Sequence, residues 1–102
     1  MVQITWTENS KRDLKEIYTY IAFDSKYYAK ETIIKLRQRT YILKSQISIG
    51  RIVPEFDNKL IRELIEGNYR IIYKIISSNK IDIISVFHSK RDLSSQHFIE
   101  LK

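Results

Sequence analysis

Two residues with side chains suited to phosphate chemistry, Arg70 and His88, fall near the ends of neighbouring β-rich segments. A guanidinium can hold a phosphate through two parallel hydrogen bonds, and an imidazole, with an ordinary pKa of about 6.5, can exchange protons near neutral pH. If the turn between these segments is centred between Ser78 and Asn79, Arg70 lies beside Phe87 and His88 in the paired strands. The spacing therefore predicts a guanidinium and an imidazole at one end of a sheet.

More charged side chains are expected around this sheet end. Four basic residues are candidate contacts with a phosphate or a target: Arg51, Lys74, Lys90 and Arg91. The loop that carries Glu55 enters the sheet at Leu60, so the Glu55 carboxylate could reach the same neighbourhood. Structural roles are the alternative for each group. Arg70 could pair with Glu63 or Glu66 across a hairpin, His88 could be a structural hydrogen-bonding residue, and Glu55 could be a solvated loop acid.

The composition limits the chemistry that the chain can perform. It has 102 residues, no cysteine and two histidines. Disulfides, thiolate metal sites and cysteine nucleophiles are therefore excluded, and a zinc enzyme is not expected. We expect no metal and no cofactor. The length predicts a single domain over residues 1–102.

The charge points to an anionic partner. The formal net charge is +6 and the isoelectric point is near 9.6, values that suit nucleic acid or an acidic protein. No acid occurs between Glu31 and Glu55, and this stretch carries a candidate basic surface. Its residues are Lys35, Arg37, Arg39 and Lys44, together with Arg51. A solvated helix face is the alternative. The start lacks a secretory pattern and no apolar run could span a bilayer, so we expect a cytoplasmic protein.

The periodicity predicts an α+β fold with the order β-α-α-β-β-β. The expected elements are a strand over 2–6, helices over 8–22 and 26–47, a loop over 48–58, and strands over 60–65, 69–76 and 81–88. Thr7 is the expected N-cap of the first helix, and Asp24 or Ser25 that of the second. Short turns between the last three strands predict an antiparallel sheet, with the helix hairpin packed on one face and the other face partly open.

Alternation assigns the two faces of the central strand. The set expected to face the helices is Tyr69, Ile71, Tyr73 and Ile75, and the set expected to face outward is Arg70, Ile72, Lys74 and Ile76. Tyr18, Tyr41 and Trp6 lie on or near apolar stripes and are expected in the core.

The chain resembles the RelE/ParE superfamily of toxins from about residue 3 to residue 93. The blocks that carry the resemblance are Ile4-Thr5-Trp6, Asp13-Leu14-x-x-Ile17, Gly50-Arg51-Ile52-Val53-Pro54-Glu55, Arg62-Glu63-Leu64-x-x-Gly67-x-Tyr69-Arg70-Ile71-x-Tyr73 and Val86-x-His88-x-x-Arg91-Asp92. The resemblance implies a type II toxin–antitoxin module, growth inhibition, and neutralisation by a cognate antitoxin. The Gly-Arg-x-x-Pro-Glu and His-x-x-Arg-Asp blocks are closer to ParE-like plasmid stabilisation toxins.

Two targets follow from the resemblance. ParE-like members poison DNA gyrase, whereas RelE-like members cleave messenger RNA in the ribosomal A site without a metal. In the ribonuclease branch, the matching positions imply Glu55 or His88 as the base, His88 as the acid and Arg70 as the phosphate ligand, assisted by Arg51 or Arg91. Ser89 replaces the aromatic residue that follows the histidine in that branch. A non-toxic nucleic-acid-binding member of the fold is the third possibility.

The resemblance also implies where an antitoxin would bind. A C-terminal antitoxin segment is expected to order along the helix hairpin or the open sheet face and to bring acidic charge.

Overall fold

The computed structural model describes residues 1–89 of the chain. The elements are β1 (Gln3–Trp6), α1 (Glu8–Ala22), α2 (Lys26–Arg39), a 3-10 helix (Thr40–Lys44), β2 (Arg51–Ile52), β3 (Ile61–Glu66), β4 (Tyr69–Ser77) and β5 (Lys80–His88). This arrangement confirms the predicted α+β class. None of the helices in this part of the chain has the length and apolar character needed to cross a membrane.

Side-chain caps begin both helices. The backbone N–H of Ser10 donates to the Thr7 hydroxyl at the start of α1, and the N–H of Tyr28 donates to the Ser25 hydroxyl at the start of α2. Each cap satisfies a donor that has no partner within its helix. The predicted bounds of α1 and its Thr7 cap are confirmed, and Ser25 is the cap of α2.

The second helix is shorter than predicted. It ends at Arg39, and the chain continues as a 3-10 helix to Lys44 instead of running to Ile47. The Thr40 hydroxyl donates to the carbonyl of Arg37 at 2.7 Å, and its backbone N–H bonds carbonyls of the last turn. These bonds tighten the helix end into 3-10 geometry. Leu43 remains buried, which is why the apolar spacing resembled a longer helix.

The sheet is mixed, so the expectation of a purely antiparallel sheet was wrong. In the described residues it has five strands in the order β1-β5-β4-β3-β2, and β1 pairs parallel to β5. Most of the chain separates these two strands, including both helices, which gives the long connection that parallel pairing needs. The predicted loop also contains β2, where Arg51 and Ile52 pair with Glu63 and Arg62.

The predicted register at the end of the β4–β5 hairpin is confirmed. Tyr69 lies opposite His88, and Arg70 lies opposite Phe87. Irregularities between Ile72 and Tyr73, and again before Ser77, shift the pairing nearer the turn.

The main core lies between the sheet and the helices. It contains Leu14, Leu36, Leu43, Leu64, Ile71, Tyr73, Ile81, Ile83 and Val86. Tyr69, Ile75 and Trp6 are partly buried against it, which confirms the predicted helix-facing side of β4. Tyr18 and Tyr41 are exposed, at 38% and 59%, so their placement in the core was wrong. Neither ring is among the residues that form the main core or pack against it.

A second apolar cluster covers part of the other sheet face. It contains Val53, Ile61, Ile72, Ile84 and Phe87, with Phe56 packed against it. Val53 and Phe56 belong to the segment between β2 and β3, which folds over the sheet. Because of this cover, Ile72 is fully buried and Arg70 is only 7% exposed. Both residues occupy the predicted face, but the expectation that this face is open to solvent at these positions was wrong.

Candidate functional site

A buried carboxylate, that of Glu63, links two arginines on the covered sheet face. One oxygen of Glu63 accepts a hydrogen bond from Nε of Arg70 at 2.5 Å, and the other accepts from Nε of Arg51. The Glu63 side chain is 0% exposed, whereas that of Arg51 is 65% exposed. The carboxylate therefore connects an interior guanidinium to one at the surface. Of the two hairpin partners considered for Arg70, the structure selects Glu63.

The Arg70 guanidinium is enclosed on several sides. Its two terminal nitrogens donate to the two oxygens of Glu55, at 3.2 and 3.3 Å. Its central carbon lies 5.4 Å from the centre of the Phe87 ring. With Nε on Glu63 as well, this guanidinium is held by two carboxylates and an aromatic face. The Glu55 carboxylate, whose distance from Arg70 the sequence left open, therefore lies against the guanidinium.

The charges of this network balance, since Arg51 and Arg70 carry two positive charges and Glu55 and Glu63 two negative ones. Burial opposes ionisation of Glu55, but the hydrogen bond from Arg70 and the charges of Arg70 and Arg51 outweigh it and lower its pKa. Burial likewise opposes the charge on Arg70, yet its two carboxylate partners raise its pKa. The ion pair between Glu55 and Arg70 is therefore formed at neutral pH.

The loop that carries Arg51 is held by Tyr73 and Arg62. The buried Tyr73 hydroxyl accepts from the N–H of Gly50 at 2.9 Å and donates to the carbonyl of Ile47 at 3.0 Å. A Cβ atom on Gly50 would lie 2.6 Å from that hydroxyl oxygen and 2.7 Å from the backbone oxygen of Glu63. Arg62 donates to the carbonyls of both Gly50 and Ser48. This close approach places Arg51 against Glu63.

His88 lies on the opposite face of the sheet. Its ring meets that of Tyr69 edge to face, with centroids 5.7 Å apart, and it lines a cavity beside α1 with Glu16 and Tyr20. Asp13 also lines this cavity, and its carboxylate accepts hydrogen bonds from the Ser85 hydroxyl and the Val86 N–H. Arg70 and His88 share a sheet end, as predicted, but they do not share a face.

The remaining candidate contacts do not gather around Arg70. Lys74 is on the same face but four residues further along β4, or roughly 13 Å away at the usual rise of a strand. Lys90 and Arg91 lie outside the described residues. Arg51 is the member of this group that the structure joins to Arg70, through Glu63.

The candidate basic surface divides into separate environments. Lys35 lines a depression with Tyr28 and Glu66, whereas Arg37 lies over the Trp6 ring at 5.2 Å. Arg39 donates to the carbonyl of Ile65 at 3.0 Å, and Lys44 lies over the Tyr41 ring at 5.1 Å. Positions 35 and 37 point to different sides of α2 because two residues turn a helix by about 200°. Lys35 and Arg39, which are four residues apart, lie near the end of β3, whereas Arg37 and Lys44 contact aromatic rings elsewhere.

Sequence reasoning assigned no positioning role to Glu63, Tyr73 or Arg62. Glu63 was considered only as a pairing partner of Arg70, and Tyr73 only as a core residue. The alternation of β3 placed Glu63 on the same face as Arg70, and this was the signal available. Among residues 1–89, no three histidine or carboxylate side chains are grouped in a way that could hold a metal ion.

Comparisons with known proteins agree with this architecture. The chromosomal ParDE toxin–antitoxin system of P. aeruginosa contains a chain with a TM-score of 0.70 and 17% identity, over 88% of this chain and 98% of that one. The toxin–antitoxin complex RelBE2 of Mycobacterium tuberculosis contains one with a TM-score of 0.57 and 15% identity, over 85% of this chain and 96% of that one. These likenesses show that the chain shares its fold with chains of two toxin–antitoxin systems.

The family of the chain is shown by a match to a protein-family model. The model of the ParE toxin of type II toxin–antitoxin systems, parDE, matches residues 4–93. The chain therefore belongs to the ParE toxin family, as the sequence resemblance implied. No curated protein matches the chain.

Proposed function

We propose that this toxin arrests growth by binding DNA gyrase, not by cutting messenger RNA. The observation that carries the proposal is the separation of its candidate catalytic groups. Arg70 is enclosed by Glu55 and Glu63 on one face of the sheet, and His88 lies on the other.

Cleavage of RNA without a metal needs a base, an acid and a cation around one phosphate. The Arg70 guanidinium already uses its Nε and both terminal nitrogens on carboxylates. The Arg70 side chain is only 9% exposed, and a phosphate that reached its remaining N–H groups would lie beside two negative charges. The lowered pKa of Glu55 also makes that carboxylate a weak proton acceptor. These features argue against the ribonuclease alternative.

Gyrase is the target that membership of the ParE family favours, and it implies action in the cytoplasm. An antitoxin partner is favoured by the two structural neighbours, which belong to toxin–antitoxin systems. On this chain the tip of the helix hairpin offers large exposed aromatic side chains to such a partner: Tyr20, Phe23, Tyr27 and Tyr28. Exposed apolar groups of this kind mark protein-binding surfaces. An acidic antitoxin would also complement the net charge of +6.

Induced expression without antitoxin tests the target. DNA synthesis and protein synthesis are pulse-labelled in parallel after induction. We expect an early stop in DNA synthesis with a DNA-damage response. An early stop in translation with cleaved messages would support the ribonuclease alternative, and normal growth and labelling would support a non-toxic member of the fold. Co-purification with the product of the adjacent gene tests the antitoxin, and its absence from the purified material would contradict that part of the proposal.

A further inference from the structure

Arg51 is an exposed cation that the protein interior holds in place. Its side chain is 65% exposed, yet its Nε donates to Glu63, whose side chain is 0% exposed. A long surface side chain normally samples many rotamers and loses that freedom when it binds a partner. Anchoring at Nε removes much of this loss in advance.

The anchor leaves the terminal edge of the guanidinium for a partner. Glu63 engages Arg51 at Nε, and within residues 1–89 no other hydrogen bond or ion pair of the Arg51 side chain is found. A guanidinium held at Nε still presents its two terminal nitrogens, which match the two oxygens of a carboxylate. This geometry is fixed before any partner arrives.

Glu63 does more than neutralise Arg70. The terminal nitrogens of Arg70 already bond both oxygens of Glu55. Glu63 gives one oxygen to Nε of Arg70 and the other to Nε of Arg51, so the enclosed Arg70 fixes the carboxylate that in turn fixes Arg51. The rigid part of the network therefore ends at an exposed guanidinium.

The surroundings of Arg51 suit a protein surface. Its own sheet face also exposes Ile65, at 45%, and the Glu55 carboxylate, at 40% of its side chain. An apolar side chain beside a fixed arginine is typical of protein interfaces. A nucleic-acid backbone would meet the negative charge of Glu55 near Arg51.

We propose that Glu63 is a positioning residue that presents Arg51 to a carboxylate on the protein that the toxin inhibits. This inference rests on the proposed function for the identity of that protein, which is gyrase. It assigns the contact to Arg51 and the control of its geometry to Glu63.

Inhibition of supercoiling by purified gyrase tests the inference, with the variants Arg51→Ala, Arg51→Lys and Glu63→Gln. Arg51→Ala is expected to need about tenfold more protein for half inhibition, because one desolvated ion pair is lost. Arg51→Lys is expected to need about threefold more, since lysine cannot bond Glu63 and a second carboxylate with the same fork. Lys59→Ala, which removes an exposed cation from the segment between β2 and β3, is the matched control and should inhibit as the wild type does.

Salt dependence separates positioning from folding. Wild-type inhibition should weaken as sodium chloride is raised, and Arg51→Ala should have lost most of that dependence. Glu63→Gln should inhibit less strongly but retain the salt dependence, because Arg51 keeps its charge and loses its anchor. Circular dichroism verifies that each variant is folded, and the exposed Arg51→Ala keeps the test valid if Glu63→Gln does not fold.

Several outcomes would overturn the inference. A folded Arg51→Ala that inhibits like the wild type would do so, and so would binding of a labelled DNA fragment that depends on Arg51, since the contact would then be a phosphate. If the wild type inhibits gyrase, only the inference is at stake. If the wild type does not inhibit gyrase, the proposed target is wrong, and growth arrest in cells then tests the role of Arg51. Arrest that requires Arg51 would support contact with a carboxylate on another protein. Arrest that does not require Arg51, or no arrest at all, would contradict the inference.

Discussion

Arg70 and His88 lie at the same end of the sheet but on opposite faces of it. Arg70 pairs with Phe87, which belongs to the cluster under the β2–β3 segment, and His88 pairs with Tyr69, which packs toward the helices. Successive residues of a strand point to opposite faces of the sheet. The Arg70–Phe87 pair and the adjacent Tyr69–His88 pair therefore point to opposite faces. The charged network around Arg70 is consequently separate from His88, which lines the cavity beside α1.

Removal of the interior guanidinium should destabilise the fold. Arg70→Ala leaves the fully buried Glu63 with one arginine and Glu55 with none of its Arg70 hydrogen bonds. We expect the free energy of unfolding to fall by about 3 kcal/mol, as when one member of a buried ion pair is removed. Urea denaturation measures the change. Lys74→Ala, on the same face, should stay within about 0.5 kcal/mol of the wild type. Equal stability of the two variants would contradict the account.

The ion pair of Glu55 should make stability depend on pH in the acid range. Its pKa is lowered from the ordinary 4.5 in the folded state, so its contribution is present above 4.5 and is lost as the pH falls through the folded pKa. Wild type should therefore be more stable than Glu55→Gln at neutral pH, and the difference should shrink on acidification below 4.5. Urea titrations across this range measure it. A difference that is constant with pH would rule out the pair as its source.

The Tyr73 hydroxyl should contribute to stability through the loop that it holds. Tyr73→Phe leaves the Gly50 N–H without its acceptor and the Ile47 carbonyl without this donor. We expect a loss of about 1–3 kcal/mol. Tyr41→Phe is the matched control, because Tyr41 is 59% exposed, and it should change stability by less than about 0.5 kcal/mol. Similar midpoints of denaturation for the two variants would show that the buried hydroxyl contributes nothing.

Gly50 should tolerate no side chain. The Cβ atom of Gly50→Ala would lie within 2.7 Å of Tyr73 and of the Glu63 backbone, so the loop must shift. We expect a loss of about 1–3 kcal/mol, typical of overpacking. Gly67→Asn is the comparison, since no atom lies within 4 Å of a Cβ there and asparagine tolerates its φ of +57°. If thermal unfolding ranks Gly67→Asn as the less stable variant, the proposed packing at Gly50 is wrong.

The periodic parts of the fold could be predicted from the sequence. The bounds of α1, the helix-facing side of β4 and the pairing of Tyr69 with His88 all follow from apolar spacing and turn position. The end of α2 could not be predicted, because Leu43 keeps the helical spacing while the Thr40 hydroxyl bonds change the backbone. The parallel pairing of β1 depends on a partner most of the chain away, which no local pattern encodes.

The sequence indicated several residues of the candidate site, but it did not indicate how they are buried or linked. The sequence allowed Glu55 to reach the neighbourhood of Arg70 without fixing the distance, and in the structure the two side chains form an ion pair. The burial of Arg70 was missed because Val53 and Phe56 come from an aperiodic loop, whose path across the sheet has no signature in the sequence. The link through Glu63 to Arg51 was missed for a related reason, since β2 is a two-residue strand inside that predicted loop.

The most direct measurement compares wild type with His88→Ala in two purified assays: supercoiling by DNA gyrase and cleavage of a defined message on ribosomes. His88 is exposed, so the variant should remain folded. We predict that both proteins inhibit supercoiling to the same extent and leave the message intact. Cleavage of the message by the wild type and not by His88→Ala, with supercoiling unaffected, would contradict the assignment and restore His88 as a catalyst.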